Sequence, residues 1–261
     1  MPSTSSSPSI AILLAAGVGR RLGGMHDGPK VLLDMGGRSL LARHLENLAA
    51  EGVRELSITV GFQRAAIEAE LSRLHWDGEI TLVENSRFRE GSLVSLHAQA
   101  ARLRRGSTVV LMDGDVLYDA RMLRTLLRAP GENVLLVDRN IEPGDEPVKI
   151  CFRGDRIVDF RKIPEHAHDR HGESVGFFRF SPAMAVALAD RCAAHVAAGR
   201  TGLEYEEAIR DLLLAEPERF AAADVSDLPW TEIDFEADVL RARRDILPAL
   251  RPSLAQPGVS A

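Results

Sequence analysis

Residues 10–33 read IAILLAAGVGRRLGGMHDGPKVLL, an apolar run that empties into a glycine-rich loop with Arg20 and Arg21, followed nine residues on by Pro29 and Lys30. Leu14, Ala15, Ala16, Gly17 and Gly19 leave little side chain in the way, so backbone N–H groups can approach an anion closely. Arg20, Arg21 and Lys30 add positive charge, and the loop suits a polyphosphate. Carboxylates stand at two other places. Asp113 and Asp115 follow the apolar run 107–112, where a strand would leave the core beside the gripped phosphates. Far along the chain, Glu232 and Asp234 alternate in a short segment, so in a strand both point to one side and converge on one site.

Those residues need a frame, and the hydrophobic pattern supplies one. Strand-length runs rich in Val, Ile and Leu recur at 10–15, 55–61, 79–84 and 107–112, separated by helical segments at 40–50, 65–74 and 92–103. In the first of these helices Leu41, Leu45 and Leu48 form one stripe. Alternating strands and helices predict a parallel sheet with helices on both faces and a ligand site beyond the carboxyl ends of the strands. After residue 133 the strands crowd together, at 134–138, 147–153, 156–162 and 174–180, with Arg153-Gly154-Asp155 as a tight hairpin turn. This half is expected to place a small antiparallel lid over the mouth of the sheet. Helices at 182–198 and 206–215, a short strand near 231–234 and a closing helix at 237–246 complete the pattern. The expected organisation is one α/β domain over 10–247, with a nucleotide half at about 10–130 and an acceptor half at about 131–247. A disordered lead-in at 1–9 and a flexible tail at 248–261 flank it.

Composition narrows the function. With 261 residues, 45% apolar content and a net charge of −6, the chain can bury one substantial core and carries no basic stripe for nucleic acid. Cys151 and Cys192 are its only cysteines, too few for a disulfide framework or a cysteine zinc site, and read as reduced buried thiols. No apolar run is long enough for a membrane span. A cytoplasmic protein, monomeric or homodimeric, is expected.

Two familiar phosphate loops do not fit residues 14–22. The Walker pattern needs Gly-Lys-Ser/Thr after four residues from its first glycine, whereas Gly17 is followed by Val18, Gly19, Arg20, Arg21 and Leu22, and the dinucleotide fingerprint needs a glycine or alanine at Leu22. The segment resembles instead the signature of nucleotidyltransferases that make nucleotide-sugars and related activated alcohols, Leu-Ala-Ala-Gly-x-Gly-x-Arg-Leu followed by Pro-Lys; Arg20 replaces the usual Thr or Ser. The later Trp230-Thr231-Glu232-Ile233-Asp234 is similar to that family's closing motif, in the form closest to its phosphocholine cytidylyltransferase branch. The resemblance covers residues 10 to about 245. It implies a Rossmann-like three-layer fold with a mixed, mostly parallel sheet, a catalytic Mg²⁺ on Asp115 and Asp234, and CTP as the nucleotide. It further implies that Arg21 and Lys30 hold the triphosphate and stabilise the phosphoryl group in transit, and that Lys162, with Lys149 as a second candidate, orients an acceptor phosphate. Glu84 to Leu96, including Gly91 and Ser92, resembles the stretch that meets base and ribose. Gly91 and Ser92 open a helix, so their N–H groups are expected as free donors.

For the acceptor, Glu173, Glu204, Tyr205, Glu206 and Glu207 cluster where the lid belongs, with Trp230 and Tyr118 as further aromatic faces. Carboxylates beside aromatic rings suit an alkylammonium head such as that of phosphocholine or an aminophosphonate. Glu206 and Glu207, and likewise Glu236 and Asp238, also begin helices, where acids are favoured regardless of any ligand. His166, His168 and His171 fall in a polar loop and read as solvated rather than as metal ligands. The expected reaction is transfer of CMP from CTP to a small phospho- or phosphono-acceptor with release of pyrophosphate. Alternatives are a sugar-1-phosphate or inositol-1-phosphate nucleotidyltransferase, and a nucleotide-sensing relative without turnover. The presence of Lys30, Asp115 and Asp234 together argues for an enzyme.

Overall fold

The computed structural model describes residues 9–141 and 147–251, with the backbone alone at Arg20, Gly24 and Met25. A central sheet runs in the order β10 (Phe220–Asp224), β6 (Asn133–Asp138), β9 (Arg170–Phe180), β4 (Thr108–Asp113), β1 (Ser9–Leu14), β2 (Glu55–Val60) and β3 (Glu79–Glu84). β1, β2, β3 and β4 pair in parallel, as do β10 and β6, whereas β9 is antiparallel to both β4 and β6. Alternation along each strand sends side chains to opposite faces. Ile10 and Ile12 of β1 join one buried cluster with Leu93, Leu96, Met184, Leu188 and Leu212, while Ala11 and Leu13 join another with Leu41, Leu45, Leu48, Ile67 and Met122. The first cluster takes α3 (Ser92–Ala98), α6 (Pro182–Ala197) and α7 (Glu206–Ala215); the second takes α1 (Leu40–Ala50), α2 (Arg64–Arg73) and α5 (Ala120–Arg128). The three-layer, mostly parallel α/β fold is therefore present as expected.

The closely spaced strands form the antiparallel annex. β7 (Lys149–Arg153) turns through Gly154 and Asp155 into β8 (Arg156–Arg161), and the opening residues of β9 pair with β7 from Lys149↔Glu173 to Phe152↔Arg170. A buried ion pair holds this annex on the body: Arg210 of α7 donates to Asp159 of β8 at 2.7 Å, and Asp159 also accepts the N–H groups of Glu165 and His166. A second, two-stranded antiparallel sheet joins β5 (Val116–Tyr118) to β11 (Trp230–Glu232).

Several elements differ from the sequence pattern. The helix expected over 92–103 breaks at Gln99 into α3 and α4 (Ala100–Leu103), and the buried Gln99 amide spends its hydrogen bonds on Ser57 and Thr59 of β2. β5, α5 and β10 were absent from the expected elements. The closing helix is α8 (Glu236–Arg241), continued by a wider π turn at Ala242–Ile246. Ser9 pairs with Thr108 in the sheet, and the Arg251 N–H donates to Asp119 at 3.0 Å. Residues 1–8 and 252–261 lie outside the described residues. Cys151 and Cys192 are both free and buried, and burial pushes each thiol up to about 12. No helix among the described residues is long and apolar enough to cross a membrane.

His44 of α1 lies fully inside the fold, its ring against Tyr118 and Phe177 and its Nε2 3.3 Å from the Gly114 carbonyl, to which it donates. Burial pushes this imidazole down to about 4. An unfolded histidine titrates near 6.5, so between these values the unfolded chain binds a proton that the native protein refuses. The associated stability is full above about 6.5 and is lost as pH falls toward 4. From this group alone, unfolding free energy at pH 5 is expected to be about 2 kcal/mol below that at pH 7. His44→Phe removes that component, so its urea midpoints at the two pH values should lie closer together than those of wild type. An unchanged spacing would contradict the assignment.

Candidate active site

The loop after β1 is pinned at its start by Ala15 N–H to the Thr59 carbonyl at 3.0 Å and by Phe62 N–H to the Ala16 carbonyl at 3.1 Å. Beyond that, the N–H groups of Gly17, Val18 and Gly19 donate to no group among the described residues. Gly19 turns left-handed at φ 63°, and a Cβ there would stand 3.0 Å from Cγ of Lys30. Glycine at this position lets the lysine stem pass beneath the loop.

Lys30 then reaches carboxylates contributed from remote parts of the chain. Gly114 donates its N–H to the Leu14 carbonyl at 3.0 Å, which sets Asp115 beside the loop. The β5–β11 ladder pairs Glu232 with Val116, and the Ile233 N–H donates to the Asp115 carbonyl at 3.0 Å. Asp238 fixes the next turn by accepting the N–H groups of Asp234 and Phe235 at 3.0 and 2.8 Å. Asp115, Glu232 and Asp234 consequently present oxygen atoms within 4.8 Å of one another. Nζ of Lys30 lies 2.9 Å from Asp115 and 2.6 Å from Asp234, and Arg21 is 3.7 Å from Asp234.

Charge in this cluster is unbalanced. Burial works against the Lys30 ammonium, yet Asp115 and Asp234 hold its pKa above the ordinary lysine value. Burial likewise works against the Asp234 carboxylate, and Lys30 and Arg21 overcome it and hold the group below its usual range. Glu232 touches the solvent of the cavity but is ringed by protein; that enclosure, then the charges of Asp115 and Asp234, push its carboxyl well above the ordinary range. Three carboxylates around one ammonium form an oxygen donor set with negative charge to spare, which fits a hard divalent cation.

The cluster opens into a cavity of about 330 Å³ that also receives Lys162, Ser92, Glu204, Tyr205 and Glu206. Asp113 lies on its floor. Burial, and after it the charge of Asp115, raises the Asp113 carboxyl well above its usual range, and the Tyr205 hydroxyl donates to it at 2.6 Å. The close seat is permitted by Gly176, at φ 77°, where a Cβ would fall 2.2 Å from Asp113 Oδ2. Glu206 has one carboxylate oxygen fully enclosed and without a hydrogen-bond partner among the described residues. Burial pushes this group up to about 7.

Comparison with known proteins places the fold and cluster in context. The model of the MobA-like NTP transferase domain matches residues 11–198. The chain belongs to this family. Among curated proteins it is 30% identical over 253 residues to the CMP-5'-(3-aminopropyl)phosphonate synthase of Streptomyces rubellomurinus, covering 90% of this chain and 38% of that protein. It is 26% identical over 239 residues to the bifunctional IPC transferase and DIPP synthase of Aquifex aeolicus, covering 90% of this chain and 51% of the relative. The chain thus spans about half or less of those relatives' own lengths. Among solved structures, the CTP:phosphocholine cytidylyltransferase of Streptococcus pneumoniae superposes with a TM-score of 0.73 at 16% identity, covering 90% of this chain and 98% of that one. The inositol-1-phosphate CTP transferase of T. maritima superposes with a TM-score of 0.70 at 21% identity, covering 93% and 98%. These two likenesses establish a shared fold.

Within this NTP transferase domain the expected residues divide into two groups. Leu14, Ala16, Gly17, Arg21, Lys30, Ser92, Asp115, Lys162, Glu204, Tyr205, Glu206 and Asp234 line the main cavity, and Ala15 and Gly19 line a smaller hollow that adjoins Lys30 and Asp115. The Arg20 side chain lies outside the described atoms. Glu84, Gly91, Lys149, Glu173 and Trp230 lie outside the cavity lining. Glu84 instead pairs with Arg64 at 2.8 Å. Lys149 donates to the Lys162 carbonyl at 2.8 Å, bracing that backbone, while Glu173 sits opposite Lys149 in the β7–β9 ladder. Trp230 spends its indole N–H on Asp138 at 2.7 Å.

The two helix-opening donors are also occupied: Gly91 N–H goes to the Thr201 carbonyl at 3.0 Å and Ser92 N–H to Glu204 at 3.3 Å. The Ser92 hydroxyl donates to Glu204 at 2.5 Å and accepts the Tyr205 N–H at 2.9 Å, so this loop is already docked on 201–205. Tyr118 is buried against His44 and Phe177 and offers no face to a ligand. His166, His168 and His171 form no metal-ligand group among the described residues; His166 pairs with Asp159. Glu232, grouped with Asp234 from sequence but not assigned to the metal, belongs to the same acidic cluster.

Proposed function

We propose that this chain transfers CMP from CTP to a phosphate or phosphonate oxygen of a small aminoalkyl acceptor and releases pyrophosphate. The observation that carries the reading is the convergence of Lys30, Asp115, Glu232 and Asp234 on one cavity, beneath a loop whose N–H groups have no partner among the described residues. In the reaction an acceptor oxygen forms a bond to the α-phosphorus while the bond from that phosphorus to the bridging oxygen breaks, and the electron pair leaves on pyrophosphate. No protein nucleophile is needed; positioning and charge complementarity carry the catalysis. Asp115 and Asp234, with Glu232 beside them, would hold a magnesium ion, which when bound neutralises charge on the nucleotide phosphates. Lys30 and Arg21 hold the triphosphate from the loop side, and Lys162 orients the acceptor's anionic end. In this reading the nucleotide occupies the side built from residues 10–130 and the acceptor the side built from 131–247.

The acceptor assignment rests on Glu206, which lines the cavity and has a carboxylate oxygen without a hydrogen-bond partner among the described residues. The 30% identical relative, a CMP-5'-(3-aminopropyl)phosphonate synthase, supports an aminophosphonate or phosphoamine over a neutral sugar phosphate. Glu206→Gln keeps the volume and removes the charge. Because a hydrogen bond to a charged partner contributes about 1.5–3 kcal/mol, KM for aminoalkylphosphonate or phosphocholine should rise roughly tenfold or more, with KM for CTP unmoved. Glu173→Gln, outside the lining, should leave both near wild type. Steady-state pyrophosphate release across CTP, UTP and GTP with each acceptor reads this directly. Preference for glucose 1-phosphate or inositol 1-phosphate, or equal losses on cationic and neutral acceptors, would move the assignment to a sugar- or inositol-phosphate nucleotidyltransferase. No release from any pair would make the chain a nucleotide-binding relative without turnover.

A further inference from the structure

A second, open hollow of about 220 Å³ shares Arg21, Lys30 and Phe88 with the main cavity, and Val18, Gly19 and Arg89 complete its lining. The two differ sharply in charge. Carboxylates outnumber cations around the main cavity, whereas the described lining of the second carries Arg21, Lys30 and Arg89 and no acid. Its wall includes Val18 and Gly19, whose N–H groups have no partner among the described residues. Cations and unpaired N–H groups around one concavity make an anion site.

Arg89 is the member that neither the loop nor the acidic cluster accounts for. Its guanidinium lies over the Phe88 ring, 4.6 Å from the centroid, and Phe88 in turn packs near Phe62 with ring centroids 6.4 Å apart. This stacking orients Arg89 without neutralising it. The contrast with its neighbour is direct: Arg87 makes two hydrogen bonds to Glu90, at 2.7 and 2.8 Å, while Arg89 pairs with no carboxylate among the described residues.

We propose that Arg89 binds the β- and γ-phosphates of the nucleotide in this hollow and retains the pyrophosphate after transfer. The inference rests on the nucleotidyl-transfer reading. As the bond between the α-phosphorus and the bridging oxygen breaks, negative charge accumulates on the departing pyrophosphate, and a planar guanidinium held by an aromatic face is suited to receive it. Pyrophosphate would then leave by the cationic hollow and the CMP-bearing product by the acid-lined cavity.

The test uses inorganic pyrophosphate with magnesium, titrated calorimetrically into wild-type protein, Arg89→Gln and Arg89→Lys. Arg89→Gln is expected to weaken pyrophosphate binding about tenfold or more, and Arg89→Lys less, because the charge is kept and the fork is lost. In turnover, inhibition by added pyrophosphate should weaken in parallel and KM for CTP should rise, with KM for the acceptor unchanged. Wild-type protein that fails to bind pyrophosphate, or Arg89→Gln binding it as wild type does, would overturn the proposal. The titration needs no catalysis, so the two readings separate. Arg89-dependent pyrophosphate binding without release from any NTP and acceptor pair would sink nucleotidyl transfer alone. Normal turnover with unaltered pyrophosphate affinity in Arg89→Gln would sink the Arg89 site alone.

Discussion

Asp115→Ala and Asp234→Ala are each expected to reduce turnover roughly a thousandfold or more, about 4 kcal/mol of lost transition-state stabilisation, while the protein remains folded. Both carboxylates face the same cavity, and neither contributes apolar packing. Each is tied in place chiefly by Lys30, which keeps one partner when the other is removed. Circular dichroism and thermal melting should therefore stay close to wild type. Asp→Asn variants, isosteric but neutral, should be nearly as inactive, because charge and not shape is what the site loses. Excess chelator should silence wild-type protein, and restored magnesium should recover it. Activity within a few-fold of wild type for either variant at saturating magnesium would remove these residues from the proposed metal site.

Lys30→Ala is expected to lower kcat by about 10²–10³-fold, with a smaller change in the KM for CTP. Lys30 lies between the two aspartates and a loop whose N–H groups have no partner among the described residues, so in the proposed reaction its ammonium would meet the phosphate charge that develops. Its removal also leaves Asp115, Glu232 and Asp234 without their central cation. The variant's melting temperature should consequently respond more to added magnesium than that of wild type. Single-turnover measurements isolate the chemical step. A raised KM with unchanged kcat would make Lys30 a binding residue only.

The sequence shows most of what is local and little of what is assembled at a distance. The strand and loop around Gly17 and Gly19, the leucine stripe of α1 and the Gly154 hairpin all depend on neighbours within a few residues, and each appears where the pattern puts it. β5 has only Val116, Leu117 and Tyr118 to announce it, and its existence depends on β11, more than a hundred residues away. β10, an alanine-rich strand at Phe220–Asp224, has weak intrinsic strand character and is made by pairing with β6. In the site, Asp115, Asp234 and Lys30 could be picked out by type and motif. That Ser92 and Gly91 spend their donors on 201–205, and that Lys149 braces the Lys162 backbone, follows from tertiary packing alone. Residue type fixed what these groups could bind; the partners that reached them first decided what they do bind.

β9 has a consequence for how the molecule can be divided and made. It supplies the neighbour on one side of β4, through Val109↔Phe180 to Met112↔Phe177, and on one side of β6, through Val134↔Arg179 to Asp138↔Glu173. A chain cut near residue 130 would keep the phosphate loop but expose the bare margin of β4, a template for pairing with other chains. It would also lack Glu232 and Asp234. During synthesis the same order holds: the glycine-rich loop after β1 emerges first, the strand that seals the sheet much later, and the last carboxylates of the cluster later still. Neither half contains all of the residues on which the proposed reaction relies, so a chain cut near residue 130 is expected to lack turnover.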